Sequence, residues 1–320
     1  MGRRRAPLSR ALGLLDGRMR LVAHGQGGVV TAAQCRALGG DDGAIRTLLG
    51  SGGWCRERRG VYRDLRVSPA PHVDRAFLGR CGALLAALAG PAVVSHDSAA
   101  RLLGLPAPPG GFGARVHVTR RPPAPTNDPL LGDVHVTGYD DADVVDVHGV
   151  LVLGAARLVV DCCAVLPPDS ALAVADAALR RGLTDDDALA DALDRRGVPA
   201  VAARVVDRAD PGGTNWFESS SRWWLLEAGL PRSRLQVPFA ADGRWAEVDL
   251  WFPEHRTVGE ADGAGKYDEP GALFAEKRRE DWLRDRFGVE VVRWVPGEMR
   301  TPAGRTEVVD RFRRAFARRR

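Results

Sequence analysis

A chain of 320 residues is long enough to bury two or three separate cores, and 45% hydrophobic with 27% charged residues is the composition of a folded protein, not a disordered one. No stretch approaches the ~18 uninterrupted apolar residues of a membrane span. The basic start MGRRRAPLSR lacks the apolar run of a signal peptide, so a soluble, cytoplasmic protein with no membrane partner is expected. The net charge of +5 and the pI near 9.2 favour an acidic partner, nucleic acid above all.

The first segment, to residue 66, reads as helix, turn, helix, hairpin. Thr31 caps a short helix that the glycines after Leu38 stop, and Asp41 or Asp42 caps a second helix with Ile45, Leu48 and Leu49 on one face. Two short strands around RERRG follow between Trp54 and Tyr62. This is the plan of a winged helix-turn-helix, whose second helix enters a major groove. Arg46 on that helix and Arg56, Arg58 and Arg59 on the hairpin are the candidate DNA-binding residues.

The second segment, 67–209, alternates patterns and predicts a mixed α/β domain. FLGRCGALLAALAG and SHDSAARLLGLP are amphipathic, ARVHVTRR and DVHVTGYDDADVVDVHGVLVLG alternate like antiparallel strands, and helical patterns fill 155–209. His96, His117, His135 and His148 do not repeat with ligand spacing, so solvent-facing roles are expected and no metal site. The cysteines Cys35, Cys55, Cys81, Cys162 and Cys163 show no CxxC spacing, which predicts reduced thiols rather than a zinc or disulfide framework.

The third segment, 210–320, opens after the linker-like DRADPGG. It reads as a helix closed by Gly229, three strands (236–239, 245–251 and 257–262), a helix over 271–287, a fourth strand and a basic closing helix. That order predicts an α/β layer fold with a mixed sheet, making the whole chain α+β. Strand alternation puts Glu260 and Asp262 on one face, and the loop FPEHR returns the chain so that Asp249 meets them at a sheet edge. Three carboxylates there repel unless a hard cation such as Mg²⁺ (or Mn²⁺) joins them. Of the 46 basic residues only Lys266 and Lys277 are lysine, and both fall just after this acidic cluster.

The third segment's element order, with Asp249 and the run Glu260-Ala-Asp262-Gly, resembles the PD-(D/E)XK nuclease superfamily, with a restriction-endonuclease-like α/β/α fold. It is closest to the subgroup similar to very-short-patch-repair endonucleases, met in actinobacterial proteins. The first segment, with GVVTAAQ and RRGVYR, resembles the winged-helix domain of AbiEi-type (type IV) antitoxins, and SHDSAARLLGLP fits that architecture. The resemblance implies a Mg²⁺- or Mn²⁺-dependent DNA endonuclease or nickase in a defence or toxin-antitoxin locus. Asp249, Glu260, Asp262 and Glu218 would hold the metal. The superfamily's strand lysine is Asp262 here, so Lys266 or Lys277 would stand in for it as a catalytic cation beside Asp249 and Glu260. The alternative is a non-catalytic, antitoxin-like transcriptional regulator, partnered by DNA and a cognate toxin or defence protein. Asn215 and Glu218 also form a capping-box pattern, so Glu218 has a purely structural reading as well.

Overall fold

The structure is a computed structural model that describes residues 9–67, 73–88, 90–123, 132–196, 200–263 and 272–318, with backbone alone for 272–275. The described chain is mixed α/β and divides into two compact units, Met1–Val165 and Leu166–Arg320. No helix among the described residues is long and apolar enough to cross a membrane.

The first unit begins with α1 (Arg10–His24), β1 (Val29–Thr31), α2 (Ala32–Ala37), α3 (Asp42–Ser51), β2 (Trp54–Arg58) and β3 (Val61–Asp64). Thr31 and Gln34 complete a reciprocal capping box on α2, and Asp41 caps α3. The three strands pair in the order β1-β3-β2. Helix α1 and strand β1 were not expected. The α1 residues Leu15, Met19 and Ala23 complete the core formed by Val30, Cys35, Ile45, Leu48, Trp54 and Tyr62. Buried Asp16 of α1 accepts the Trp54 indole N–H at 2.6 Å and faces the Arg66 guanidinium.

The same unit continues through α4 (Arg75–Ala87), β4 (Val93–Val94), α5 (His96–Leu102), β5 (His117–Arg120), β6 (Asp133–Val136), β7 (Val144–Val147), β8 (Val150–Leu153) and α6 (Ala155–Cys162). Its sheet runs β6-β5-β4-β8-β7. The expected antiparallel pairing of the two long alternating runs is corrected: β5 and β6 lie parallel, His117 opposite Asp133. The two-residue β4, too short to show a period, supplies the central strand that β5 and β8 flank. The boundary expected at residue 66 falls inside this unit, because Val29 and Val61 pack on Ala83 of α4.

The second unit comprises α7 (Pro168–Arg180), α8 (Asp186–Arg196), α9 (Ala200–Arg208), α10 (Trp216–Glu227), β9 (Arg234–Ala241), β10 (Arg244–Phe252), β11 (Thr257–Ala261), α11 (Ala272–Phe287), β12 (Glu290–Trp294), α12 (Pro296–Met299) and α13 (Pro302–Ala317). The expected boundary at 209 shifts to 165. Helix α7 is bolted to α10: Asp176 takes both Arg222 Nη2 contacts, at 2.6 and 2.7 Å, while Asp169 accepts from Ser220 and Trp224. Burial pulls the Asp176 carboxyl above its ordinary range, and Arg222 acts against that.

The sheet order β12-β11-β10-β9 is mixed, with β11 and β12 parallel and the other pairs antiparallel. Leu225 of α10 and Val308, Val309 and Phe312 of α13 pack on one face with Leu250, Phe252 and Trp294, while Leu283 of α11 packs on the other with Val248 and Val258. A Cβ at Gly259 would lie 3.0 Å from Phe312 and 3.1 Å from Trp294, so a side chain at this β11 position would require those rings to shift by a few tenths of an ångström. In β9 and β10 the apolar residues change face midway: Val237 and Val248 belong to the α11 side, Leu235 and Leu250 to the α13 side. The switch falls at Gln236, whose φ is 48°, and its neighbour Asp249. A non-glycine residue in that region is strained, and such strain marks functional sites more often than scaffold.

The buried pair generates a stability prediction. Arg222→Met leaves Asp176 buried without its counter-charge and should cost about 3–5 kcal/mol in urea unfolding, whereas Asp176→Asn combined with Arg222→Met should recover much of that loss. A double-variant loss equal to the sum of the losses in Arg222→Met and Asp176→Asn alone would show that the pair is not coupled.

Candidate functional site

The acidic residues of the second unit separate into two groups. In the first, Glu218 lies within reach of the Asp249 charge. The β10–β11 ladder runs as far as Leu250–Gly259, and beyond it the Asp249 carboxylate accepts the Ala261 N–H at 2.7 Å. A side chain thus replaces a backbone rung where the strands part. Glu218 sits in the first turn of α10, where the Asn215 side chain caps the helix by accepting the Glu218 N–H at 3.0 Å. The Glu218 carboxylate takes the Asn215 side-chain amide rather than the backbone N–H that a full capping box would use. Its carboxylate also accepts from Thr214 N at 3.1 Å and Gln236 Nε2 at 3.2 Å. Burial raises the Glu218 pKa above the ordinary 4.5, the Thr214 hydroxyl opposes that, and the Asp249 charge pushes it up further. The Glu218 carboxyl serves both places: it holds the Thr214–Asn215 turn that opens α10, and it feels the Asp249 charge.

In the second group every acid meets an arginine. Glu260, 1% exposed, lies 3.0 Å from Arg279 Nη1 of α11 in an ion pair that is not aligned as a hydrogen bond. Asp262, just past β11, takes a two-pronged contact from Arg293 of β12, with Nε at 2.8 Å and Nη2 at 2.6 Å. Glu276 of α11 joins the two arginines, 2.9 Å from Arg279 and 2.7 Å from Arg293. Burial disfavours the Glu276 charge, yet the bonds from Arg293 and the charges of both arginines hold its carboxyl below the usual range. Burial also works against the charges of Arg279 and Arg293, and the surrounding carboxylates outweigh it, holding both guanidinium groups more firmly protonated than usual.

This division corrects the expectation that Asp249, Glu260 and Asp262 converge on one cation. Among the described residues no three of Glu218, Asp249, Glu260 and Asp262 bring ligand atoms within 4.8 Å of one another. At Glu260 and Asp262 guanidinium groups stand against the carboxylate charge, Arg279 at Glu260 and Arg293 at Asp262. Lys277 is corrected as well: it is exposed on α11, and the residue of that helix that reaches the acids is Arg279. Lys266 lies outside the described residues. The sequence did carry a signal for Arg293. It is a lone charge in the apolar run EVVRW and stands opposite Glu260 in the parallel register. Gln236, Arg279 and Arg293 are the site residues that sequence reasoning missed.

In the first unit Arg46 is exposed on α3, and Arg56 and Arg59 are exposed on the hairpin. Arg58 differs: it is half-buried, its Nη1 turned out of solvent. Glu57 is paired with Arg63 at 2.7 Å, which removes an acid from the face of the hairpin.

A second constellation stands where no metal was expected. His96, His117 and His135 bring ring nitrogens within 4.8 Å of one another, a grouping that can hold a metal ion. Topology explains why spacing did not announce it. His96 opens α5 beside the central strand, while the parallel pairing of β5 with β6 sets Thr119 opposite His135 and brings His117 to the same sheet end.

No protein-family model matches the chain, and no curated protein matches it. Among solved structures the chain is similar to the crystal structure of the RV2827C protein from Mycobacterium tuberculosis, at 18% identity and a TM-score of 0.43, over 75% of this chain and 91% of that one.

The Glu218–Asp249 coupling is directly measurable. In Asp249→Asn the Glu218 pKa, read by carboxyl NMR titration, should fall. An unchanged value would mean that the two carboxylates do not sense each other.

Proposed function

We propose that this is a DNA-binding protein whose second unit carries a divalent-metal, nuclease-like site centred on Glu218 and Asp249. The observation that carries the reading is Asp249 held where β10 and β11 part, next to the positive-φ Gln236, with Glu218 driven toward protonation by burial and by the Asp249 charge. Like-charged acids held together in this way are typical of sites built for a cation. Mg²⁺ or Mn²⁺ fits such a pair, since these ions take one or two carboxylates together with water and phosphate oxygens. Asp262 does not fit, because Arg293 occupies both of its oxygens. When bound, the ion supplies an activated water and shields charge on phosphorus.

The protein's own groups do the positioning. The Ala261 N–H fixes Asp249, and Thr214, Asn215 and Gln236 fix Glu218. Arg279 and Arg293 offer the fixed positive charge that the strand lacks at position 262. Both can hold a phosphate oxygen but neither serves as a base, since guanidinium stays protonated. Exposed Arg46, Arg56 and Arg59 contact phosphates, positioning duplex DNA without reading its sequence.

A second reading rests on its own observation. The pairs Glu260–Arg279 and Asp262–Arg293 neutralise half of the acids without any metal. This is the arrangement of a domain that has kept the fold and given up cleavage, leaving an antitoxin-like regulator partnered by DNA and a cognate toxin.

Supercoiled plasmid with Mg²⁺ or Mn²⁺ separates the two readings. A nuclease should nick or cut it, Asp249→Asn should lower the rate about 10²-fold or more, and exposed Lys277→Met should leave it unchanged. No cleavage by the intact protein on single- or double-stranded DNA would leave the regulator.

The metal-induced rise in melting temperature should shrink as pH falls through the raised Glu218 pKa, because a ligating carboxylate must be ionised. A pH-independent shift would place the ion elsewhere.

Changing Arg46, Arg56 and Arg59 to alanine should weaken duplex binding to all sequences and flatten the salt slope by about one unit per lost contact. An unchanged slope would remove this face from the DNA interface.

A further inference from the structure

The histidine constellation of the first unit lies outside the nuclease-like site and has its own supporting groups. His117 Nδ1 and His135 Nε2 stand 2.9 Å apart, and the rings of His96 and His135 stack with centroids at 3.7 Å. Two imidazole nitrogens at 2.9 Å share at most one proton, so one of them presents a lone pair. The far nitrogens are oriented from behind. His117 Nε2 lies 3.6 Å from Asp97 Oδ1 and 3.6 Å from Asp133 Oδ2, and His96 Nδ1 lies 2.9 Å from the Ser95 hydroxyl. Both carboxylates are themselves held, Asp97 by the Gly113 N–H at 3.2 Å and Asp133 by Arg115 Nε at 2.9 Å. Imidazole nitrogens that face one another, with a carboxylate or hydroxyl behind the opposite nitrogen, form the carboxylate–histidine–metal arrangement.

We propose that His96, His117 and His135 form a binding site for a borderline divalent transition metal, Zn²⁺ in the first place, with His117 ligating through Nδ1 and His135 through Nε2. All-imidazole ligation selects Zn²⁺ and its neighbours over Mg²⁺, which takes oxygen ligands, so this site and the carboxylate pair sort different ions. Two nitrogens bound to a tetrahedral zinc at 2.0–2.1 Å sit about 3.3 Å apart, so the His117–His135 pair opens by a few tenths of an ångström on binding. His96 turns out of its stack on His135 to complete a three-nitrogen face, and water takes the fourth position. The His96 backbone is already set for a special purpose: its φ is 54° at the start of α5, a conformation that costs energy in any residue but glycine, and its side chain is 1% exposed.

The ion's physical effect follows from where its ligands lie. Strand β6 has only four residues and pairs with β5 alone at the end of its sheet. An ion on His135 ties that strand to β5 through His117 and to α5 through His96. Binding therefore adds stability to the native state alone.

The test uses the full chain, stripped with chelator and dialysed against Zn²⁺. One equivalent should remain bound, Co²⁺ in its place should give the visible bands of a four-coordinate ion, and millimolar Mg²⁺ should not displace either. Asp249→Asn should retain the metal, while His117→Ala with His135→Ala should lose it. Asp133→Asn should weaken zinc binding about 10–100-fold, the usual effect of removing a group that orients a ligating histidine. Because the double variant removes groups from a packed site, imidazole ¹⁵N shifts in the wild-type chain give an independent readout. Zn²⁺ should move His117 Nδ1, His135 Nε2 and one His96 nitrogen to metal-bound values. Failure to retain Zn²⁺, or binding that leaves those three rings unperturbed, would overturn the proposal.

Discussion

Most of the buried carboxylates among the described residues have a guanidinium beside them, and much of the architecture follows from those pairings. Removing an ion from water costs several kcal/mol even after relaxation, and only a close partner with good geometry repays it. Asp176 meets Arg222 between α7 and α10, Asp161 meets Arg157 within α6, and Asp16 and Asp64 share Arg66. Arginine suits the task because its planar fork reaches two oxygens at once and keeps its charge when buried. The near absence of lysine, only Lys266 and Lys277, is therefore a structural fact as well as a compositional one.

The same rule shapes the acidic cluster of the second unit. Strand β11 delivers Glu260 and Asp262 to the face covered by α11, and arginines from α11 and β12 close over them. The donors around Glu218 are different: an amide N–H, a hydroxyl and two side-chain amides, all neutral. Neutral donors hold a carboxylate in place without cancelling its charge, so Glu218 still feels Asp249, and its raised pKa records that. The two acidic groups lie on one small sheet but differ in electrostatic character, and the difference makes Glu218–Asp249 the place where an added cation does the most.

The histidines are likewise held by their neighbours. Imidazole rings stack and share protons with one another, and three of them crowd together where α5 begins, His96 from that helix and His117 and His135 from β5 and β6. Asp97 and Asp133 stand behind His117 and keep its ring oriented. His148, from the same segment, is in the turn between β7 and β8 with a φ of 53° and takes no part in the grouping.

Local chemistry was legible in the amino-acid sequence wherever a short-range rule governs it. The caps at Thr31, Asp41 and Asn215, the hairpin at residues 241–244, the alternation that sets Glu260 against Ala261 and the mixed α/β class all follow from signals within a few residues. Even the doubt over Glu218 was readable, since its cap pattern and its acid were both in view. What only the tertiary structure decided depends on which elements come to lie side by side. Helix α7 joins the second unit because buried Asp176 must find Arg222, 46 residues away. Asp262 finds its ion-pair partner because parallel register brings β12, and with it Arg293, alongside β11. The three histidines meet because β5 and β6 run parallel, which brings His117 and His135 to one end of the sheet, where His96 opens α5. A charge or a ring in a sequence states what it can bind, and the partner that reaches it first is chosen by the packing of distant segments.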